Sequence, residues 1–401
     1  MKFLNEIKEP KVSELGGKGY SLAILVNKKF NIPKGFIITS EEFFDFLRLN
    51  NLLKKIEKLN SEINEGNFQE KSKEIKKLIL SGKIPEKIRI EVERALNKLS
   101  VQYVSIRSSG VSEDSLKASF AGMHDTFLNI RAISDLVLEN VKKCWASLFN
   151  DRAVIYRIRK EIPHLEGIAV VVQEMIPAEI SGIIFTSHPT NEKAILIEFA
   201  PGLGDAIVGG EIIPGSITLD RKTLSVIERK PWENKILISE KEIIKIAKIS
   251  LKVEEVFSSP QDIEWCLSDS VIWILQSRAI TTSSPRTEEK TKRKVILGGL
   301  GASPGIAEGT VKVVLSPKEV SKMNEGEILV TVMTNPLYVS AIQKAKAIVT
   351  NVGGMICHAA IIARELGIPC VVGTKKATEI LKDNMKVVVN GTEGKIYASN
   401  Q

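Results

Sequence analysis

The sequence has few aromatic residues, few cysteines and no long apolar run. Aromatic residues make up only 5% of the 401 residues, so stacking platforms for nucleic-acid bases are scarce, and the net charge of +8 is spread along the chain. No apolar run reaches the roughly 18 residues of a membrane span, and the N-terminus is too polar for a secretory signal. The four cysteines show neither CxxC pairing nor metal-ligand spacing, which indicates reduced thiols. We therefore expect a cytoplasmic protein that binds neither nucleic acid nor membrane.

The length of the chain and one polar stretch predict its domain organisation. A chain of 401 residues is long for one core and sufficient for two or three domains. Residues 281–294 are polar, carry a proline and a Ser/Thr cluster, and lack apolar periodicity, which predicts a flexible linker. On both sides of it, strand-like and helix-like segments alternate. The sequence thus predicts an α/β protein with a large domain over 1–280 and a small domain over 295–401.

A single histidine stands at a distinctive position in the small domain. The run GGMICHAAIIARELGIPCVVGT has His358 after a Gly-Gly turn, at the start of an Ala/Ile-rich helical pattern. The N-terminus of a helix has unpaired N–H groups and a positive dipole end, which favour an anionic group. A histidine there can carry a phosphoryl group that the helix stabilises. An isolated histidine at such a position is more often a capping or packing residue.

Two stretches of the large domain suit phosphate binding. In LGGKGYSLA, the glycines around Lys18 allow close backbone approach and place a cation before a helix, although an ordinary turn with a solvated lysine fits the same letters. In SIRSSGVSEDSLKASFAGMHDTFLNI, Arg107 emerges from a strand into a Ser-Ser and acidic loop, and a guanidinium matches phosphate oxygens with two donors. The alternative for Arg107 is a surface ion pair with Glu113 or Asp114.

A predicted hairpin over 260–280 carries polar residues at one end. With a three-residue turn between its strands, all even-numbered side chains share one face. Asp262, Glu264, Gln276 and Arg278 then cluster away from the turn, where carboxylate and amide oxygens suit Mg²⁺ and the arginine suits developing negative charge. A salt bridge of Arg278 with Asp262 or Glu264 remains open. The opposite face is predicted to fill the core with Ile263, Trp265, Leu267, Val271, Trp273 and Leu275.

Taken together, these motifs resemble the phosphoenolpyruvate synthase and pyruvate, phosphate dikinase family of PEP-utilising enzymes. The resemblance implies an ATP-grasp nucleotide-binding domain over 1–280 and a small swivelling phosphohistidine domain over 295–401. It implies that His358, Arg278 and Arg107 are catalytic and that Glu264 and Gln276 bind Mg²⁺, with ATP as substrate. The residues that would contact the nucleotide are Lys18, Arg107, Gly122, Thr126, Gln173, Glu174, Met175, Ile176 and Asp262.

The resemblance also implies an activity. ATP would yield AMP, phosphate and phospho-His358, from which an acceptor such as pyruvate takes the phosphoryl group. Members of the family continue into a barrel that binds PEP or pyruvate, and we expect this sequence to rely on a separate barrel subunit or on a small-molecule acceptor. The alternatives are a phosphotransferase for another small molecule, similar to the rifampin phosphotransferases, and a non-enzymatic phosphocarrier or nucleotide sensor.

Overall fold

The computed structural model describes residues 1–111, 123–160, 162–208, 212–233, 235, 238–280, 294–355 and 357–399. Helices and strands are mixed along the chain, which confirms the predicted α/β class. The helices are α1 Val12–Asn27, α2 Ser40–Leu49, α3 Leu53–Ser61, α4 Phe68–Ser81, α5 Glu86–Leu99, α6 Ser134–Ser147, α7 Asp151–Lys160, α8 Asp205–Val208, α9 Glu240–Phe257, α10 Val339–Lys344, α11 His358–Leu366 and α12 Ala377–Ile380. The strands are β1 Lys2–Phe3, β2 Gly35–Ile38, β3 Tyr103–Gly110, β4 Thr126–Arg131, β5 Ile168–Glu174, β6 Ile180–Phe185, β7 Ala194–Pro201, β8 Gly215–Asp220, β9 Val226–Lys230, β10 Gln261–Ser268, β11 Val271–Ala279, β12 Val295–Gly298, β13 Leu300–Ser303, β14 Ile306–Val313, β15 Ile328–Thr331, β16 Ala347–Thr350, β17 Cys370–Val372, β18 Lys386–Asn390 and β19 Lys395–Ala398.

The chain divides into two compact units. The first comprises Met1–Pro177 and Trp265–Thr281, and the second comprises Ala178–Glu264 and Thr282–Gln401. This division passes through β10 and differs from the predicted border at residue 280, so the domain bounds 1–280 and 295–401 stay a prediction. The predicted linker, 281–294, lies outside the described residues except for Lys294.

An antiparallel sheet of five strands forms the centre of the first unit, in the order β1-β2-β5-β3-β4. Alternate side chains of a strand point to opposite faces. Val104 and Ile106 on β3 and Val172 on β5 therefore join one buried cluster with helices α2 to α7. Arg107 and Gln173 belong to the other alternate set. They lie on the opposite face, where α1 packs against β3 and β5.

The hairpin of β10 and β11 differs from its prediction. Asp269 and Ser270 form a two-residue turn, both with positive φ (49° and 62°), where we expected three residues. A one-residue change in the turn moves every side chain of a strand to the other face. Ile272 and Ile274 are consequently the buried apolar residues of β11. The prediction that Val271, Trp273 and Leu275 fill the core is wrong, since all three are partly exposed. The expectation that all even-numbered side chains of the hairpin share one face is wrong for the same reason.

The second unit contains two sheets. Strands β6, β7, β8 and β9 are antiparallel neighbours in that order, and the start of β10 lies beside β6, where Thr186 N–H donates to the Gln261 carbonyl. The other sheet has eight strands in the order β12-β19-β18-β14-β15-β16-β17-β13. Within it β14 to β17 are parallel, and α11 and α12 pack against them. In the described part of the chain, no helix is long and apolar enough to span a membrane.

Candidate functional site

In the first unit, the GGKG segment around Lys18, here called the lysine loop, is hydrogen-bonded to the end of β3. Gly19 N–H donates to Ser109 Oγ at 3.1 Å, and the Ser109 hydroxyl donates to the Leu15 carbonyl at 2.8 Å. Gly16 lies between these contacts with φ of 66° and ψ of 175°, which breaks the regular geometry of α1. The GGKG and RSS motifs therefore meet, and half-buried Lys18 is held beside them. Ser109 was not among the predicted site residues, although its position in the RSS motif could have indicated it.

Arg107 connects β3 with β11. Its Nη1 donates to the Leu275 carbonyl at 2.7 Å and its Nη2 donates to Gln276 Oε1 at 2.9 Å. Thr126, which opens β4, is the Cα partner of Arg107 across the antiparallel pair. The structure thus brings three predicted residues together, Arg107, Thr126 and Gln276. Because Arg107 fixes the amide orientation of Gln276 and an amide oxygen has a second lone pair, Oε1 remains chemically suited to a hard cation.

The predicted nucleotide-binding residues Gln173, Glu174, Met175 and Ile176 span the last two residues of β5 and the two that follow it. Gln173 is buried and donates through Nε2 to the Pro33 carbonyl at 3.3 Å. The backbone N–H groups of Glu174 and Met175 donate to the carbonyls of Lys34 and Tyr103. Ile176 is nine-tenths buried. These four residues are therefore held in place within the first unit, while their contact with a nucleotide stays a prediction.

The surroundings of Lys18 carry positive charge. His124 is buried, with Nδ1 3.2 Å from the Ser147 carbonyl. Burial first, and then Arg157, Lys18 and Arg152, hold the pKa of His124 well below its usual range. The imidazole is therefore neutral at physiological pH. Of these cations, Arg152 is paired with Asp125 at 2.9 Å, so part of the positive charge near His124 is already compensated.

The remaining predicted nucleotide and metal residues are distributed over both units. Asp262 is buried and Glu264 partly exposed in the second unit, whereas Arg278 is partly exposed in the first. Gly122 lies outside the described residues. Among the residues that the structure describes, no group of three or more His, Cys, Asp or Glu side chains could hold a metal. One carboxylate and one amide oxygen completed by nucleotide phosphates are nevertheless a donor set that Mg²⁺ accepts, so Glu264 and Gln276 stay predicted ligands.

In the second unit, His358 is the first residue of α11, as predicted from the Gly-Gly turn and the Ala/Ile pattern. It follows β16, and Thr334 follows β15, so both lie beyond the carboxyl ends of parallel strands, where α/β sheets place ligands. Thr334 Oγ1 lies 2.9 Å from His358 Nδ1. Thr334 was not among the predicted site residues, because it lies 24 positions before His358 and no local sequence pattern relates the two.

The residue before His358, Cys357, has an unreactive thiol. Cys357 is the N-cap of α11 and is buried. Burial is the largest cause that raises the pKa of the Cys357 thiol to about 11, so the thiolate is rare at neutral pH. Cys357 is therefore a poor nucleophile at neutral pH, and the role of His358 stays a prediction.

Comparison with known protein families identifies the chain. The model described as pyruvate phosphate dikinase, AMP/ATP-binding domain, matches residues 12–238 and 230–296. The chain belongs to this family. A second model, described as PEP-utilising enzyme, mobile domain, matches residues 323–394 and so includes His358.

Curated relatives of this family extend the similarity to nearly the whole chain. A probable phosphoenolpyruvate synthase of Methanothermobacter thermautotrophicus is 41% identical over 98% of this chain and 63% of its own length. The phosphoenolpyruvate synthase of Pyrococcus furiosus is 36% identical over 99% of this chain and 58% of its own. The chain thus spans about three fifths of the length of these relatives.

Proposed function

We propose that this protein is a cytoplasmic, ATP-dependent dikinase of the phosphoenolpyruvate synthase type. The observation that carries the proposal is the pair His358 and Thr334: an imidazole at a helix N-terminus, at the carboxyl edge of parallel strands, with Nδ1 against a hydroxyl. The match of residues 323–394 to the mobile domain of PEP-utilising enzymes supports it. In this proposal the first part is an ATP-grasp domain and the region around His358 is a swivelling domain.

The contact with Thr334 selects the reactive nitrogen. When Nδ1–H donates to Thr334 Oγ1, the lone pair of the neutral imidazole is on Nε2. Nε2 attacks the β-phosphorus of ATP, the bond from that phosphorus to the bridging oxygen of the α-phosphate breaks, and AMP leaves. Water then removes the terminal phosphate from the pyrophosphoryl group as inorganic phosphate. Phospho-His358 remains, and its charge lies at the positive end of α11.

The nucleotide is held by residues of the other predicted motifs. Lys18 and Arg107 would bind phosphate oxygens, with Lys18 beside the contact between the GGKG and RSS motifs. Met175 and Ile176 would contact the base, with Gln173, Glu174, Gly122, Thr126 and Asp262 around the nucleotide. Mg²⁺, held by Glu264 and Gln276, would supply neutralisation of phosphate charge. Arg278 would stabilise the charge that develops on the transferred group.

The proposed acceptor is pyruvate. It follows from the names of the relatives, which are phosphoenolpyruvate synthases. A PEP- or pyruvate-binding barrel, as a separate subunit, would present that acceptor to phospho-His358. Transfer to another small molecule or only to a protein would replace this part of the proposal and leave the ATP half-reaction intact.

Labelled ATP tests the half-reaction. With Mg²⁺ and ATP labelled in the β position, we expect acid-labile label on the protein together with AMP. With ATP labelled in the γ position, the label is expected in inorganic phosphate. Excess EDTA should abolish both results. Formation of ADP with no labelled protein would refute the proposal, and addition of pyruvate to the isolated phosphoprotein then tests the acceptor.

Replacing Thr334 with valine should slow the labelling of His358 about tenfold, since one hydrogen bond that selects the tautomer is lost. Thr334→Ser retains a hydroxyl and is expected to recover most of the rate. The measurement is the single-turnover rate of β-label incorporation at saturating ATP. Equal rates for the valine and serine variants would show that the hydroxyl has no part in the reaction.

A further inference from the structure

A carboxylate lies in the middle of an apolar strand. Glu198 is the charged residue in the β7 sequence AILIEFAP, and it is fully buried. Burial of an ionised carboxylate is strongly unfavourable unless hydrogen bonds or protonation compensate for it. The position therefore requires a partner, and the proposed half-reaction assigns no role to this residue.

The partner is the loop that carries His358. Met355 N–H donates to the Glu198 carboxylate, with distances of 3.0 Å to Oε1 and 3.2 Å to Oε2. The preceding residue, Gly354, is equally close, since a Cβ there would lie 2.9 Å from Oε1 and 3.1 Å from Pro214. Glycine at 354 is what allows the backbone to approach the carboxylate. The contact is thus built from both sides, by a buried acid and by a residue without a side chain.

The carbonyl of the same residue is held from α11. Arg364 donates through Nη2 to the Met355 carbonyl at 2.7 Å and through Nη1 to the Ala302 carbonyl at 2.8 Å. Its guanidinium carbon lies 5.8 Å from the centre of the Phe185 ring on β6. Met355 is therefore fixed at its N–H by β7 and at its C=O by the helix that His358 begins. Strands β6 and β7 contribute one side chain each to this arrangement.

We propose that Glu198 is a positioning residue for His358: in the arrangement that the structure shows, it holds the loop of Gly353–Met355 against β7 and so orients the start of α11. The role rests on the proposed function, in which His358 must meet a phosphorus atom in one orientation. Glu198 acts through Met355 and does not touch the reacting atoms. A small displacement of the nucleophile strongly lowers the rate of such a reaction, because the attack needs aligned orbitals at short distance.

The surroundings of the carboxylate provide a spectroscopic signature. Burial raises the pKa of Glu198 to about 7, while the Met355 N–H and Arg364 on α11 lower it and Asp262 on β10 raises it. Cys357 at the N-cap also faces Glu198, and burial keeps that thiol protonated near neutral pH. The Met355 amide proton should therefore report a titration close to neutrality, because the charge of its acceptor changes there.

The first experiment is independent of ATP. In the full chain labelled with ¹⁵N-methionine, we expect the Met355 amide resonance, assigned by its loss in Met355→Leu, to titrate with a midpoint near pH 7. Glu198→Gln should abolish this titration and keep the resonance dispersed. The matched control is Glu228→Gln on the exposed strand β9, which should titrate as the wild type does. A titration that persists in Glu198→Gln would overturn the proposal.

The second experiment measures positioning. Glu198→Ala is expected to lower the single-turnover rate of β-label incorporation about tenfold at saturating ATP, with an unchanged KM for ATP, whereas Glu198→Gln should stay within about threefold of the wild type. Equal rates for wild type and Glu198→Ala would overturn the positioning role and leave the proposed function intact. If the wild-type protein takes up no label while its Met355 amide titrates as expected, the proposed dikinase function is refuted. The contact between Glu198 and Met355 would still stand.

Discussion

Replacement of His358 by asparagine is expected to abolish the uptake of β-label from ATP, with a fall of about a thousandfold or more. The amide of asparagine can occupy the first turn of α11 and can accept a hydrogen bond from Thr334, but it has no nucleophilic lone pair comparable to that of imidazole. Cys357 cannot take over, since burial raises the pKa of its thiol to about 11. AMP formation should fall in parallel, while the affinity for ATP stays within about twofold of that of the wild type.

The matched control for this variant is His188→Asn. His188 is also largely buried, and its Nδ1 lies 3.1 Å from the backbone N–H of Thr190, in the turn before β7. Its replacement removes a histidine from the same unit of the protein, and although His188 lies within electrostatic range of Arg364, its side chain is hydrogen-bonded to Thr190 and not to the loop of His358. Label should remain at the wild-type level. Retention of β-label in His358→Asn, with loss in no other histidine variant, would mean that another residue is phosphorylated.

The start of α11 was predictable because its signals are local. A Gly-Gly turn, an Ala/Ile periodicity and Gly367 beyond the helix end all lie within a short stretch, and the structure has α11 at His358–Leu366 with Gly367 at φ of 67°. Thr334 was not predictable from that stretch. It reaches His358 only because β15 and β16 pair in parallel, a long-range register that the local pattern does not encode.

The β10–β11 hairpin shows how one turn residue changes the assignment of a whole face. Asp269 and Ser270 both adopt positive φ without glycine, so the cluster Ser-Asp-Ser gave little indication of a two-residue turn. Once the turn is shortened, Ile272 and Ile274 are the buried side chains of β11, in place of the odd-numbered ones. The motif residues were found by resemblance, whereas the side each faces depends on backbone geometry.

The sequence around Glu198 carries a local signal of its role. A glutamate between Ile197 and Phe199, in a strand otherwise without charge, is an exception to the rule that buried strands are continuously apolar. Such an exception marks a residue with a specific partner, and the partner here is a backbone amide. Backbone partners leave no trace in side-chain patterns, so the contact with Met355 could only come from the structure.

Gly16→Ala is expected to have the largest effect on the first unit. The residue has φ of 66° and ψ of 175°, a region that is essentially restricted to glycine. A Cβ at this position would lie 2.1 Å from the Ser109 carbonyl oxygen and 2.3 Å from Ser109 Oγ, both far inside contact distance. Backbone strain and overpacking together should lower the free energy of unfolding by about 3–5 kcal/mol. Because the loop must leave Ser109, Lys18 is displaced and ATP affinity should fall at least about tenfold.

Gly367→Ala separates the effect of φ from the effect of space. Gly367 has nearly the same φ, 67°, but a Cβ there meets nothing within 4 Å, so only the left-handed conformation is penalised, by about 1–2 kcal/mol. Urea unfolding followed by tryptophan fluorescence and ATP titration calorimetry measure both variants. We expect a much larger loss of stability for Gly16→Ala, and a loss of ATP affinity for that variant alone. Both variants share the strain of a positive φ, but only Gly16→Ala adds overpacking against Ser109. Equal destabilisation of the two variants, with unchanged ATP binding, would therefore contradict the conclusion that Ser109 and Gly16 shape the lysine loop.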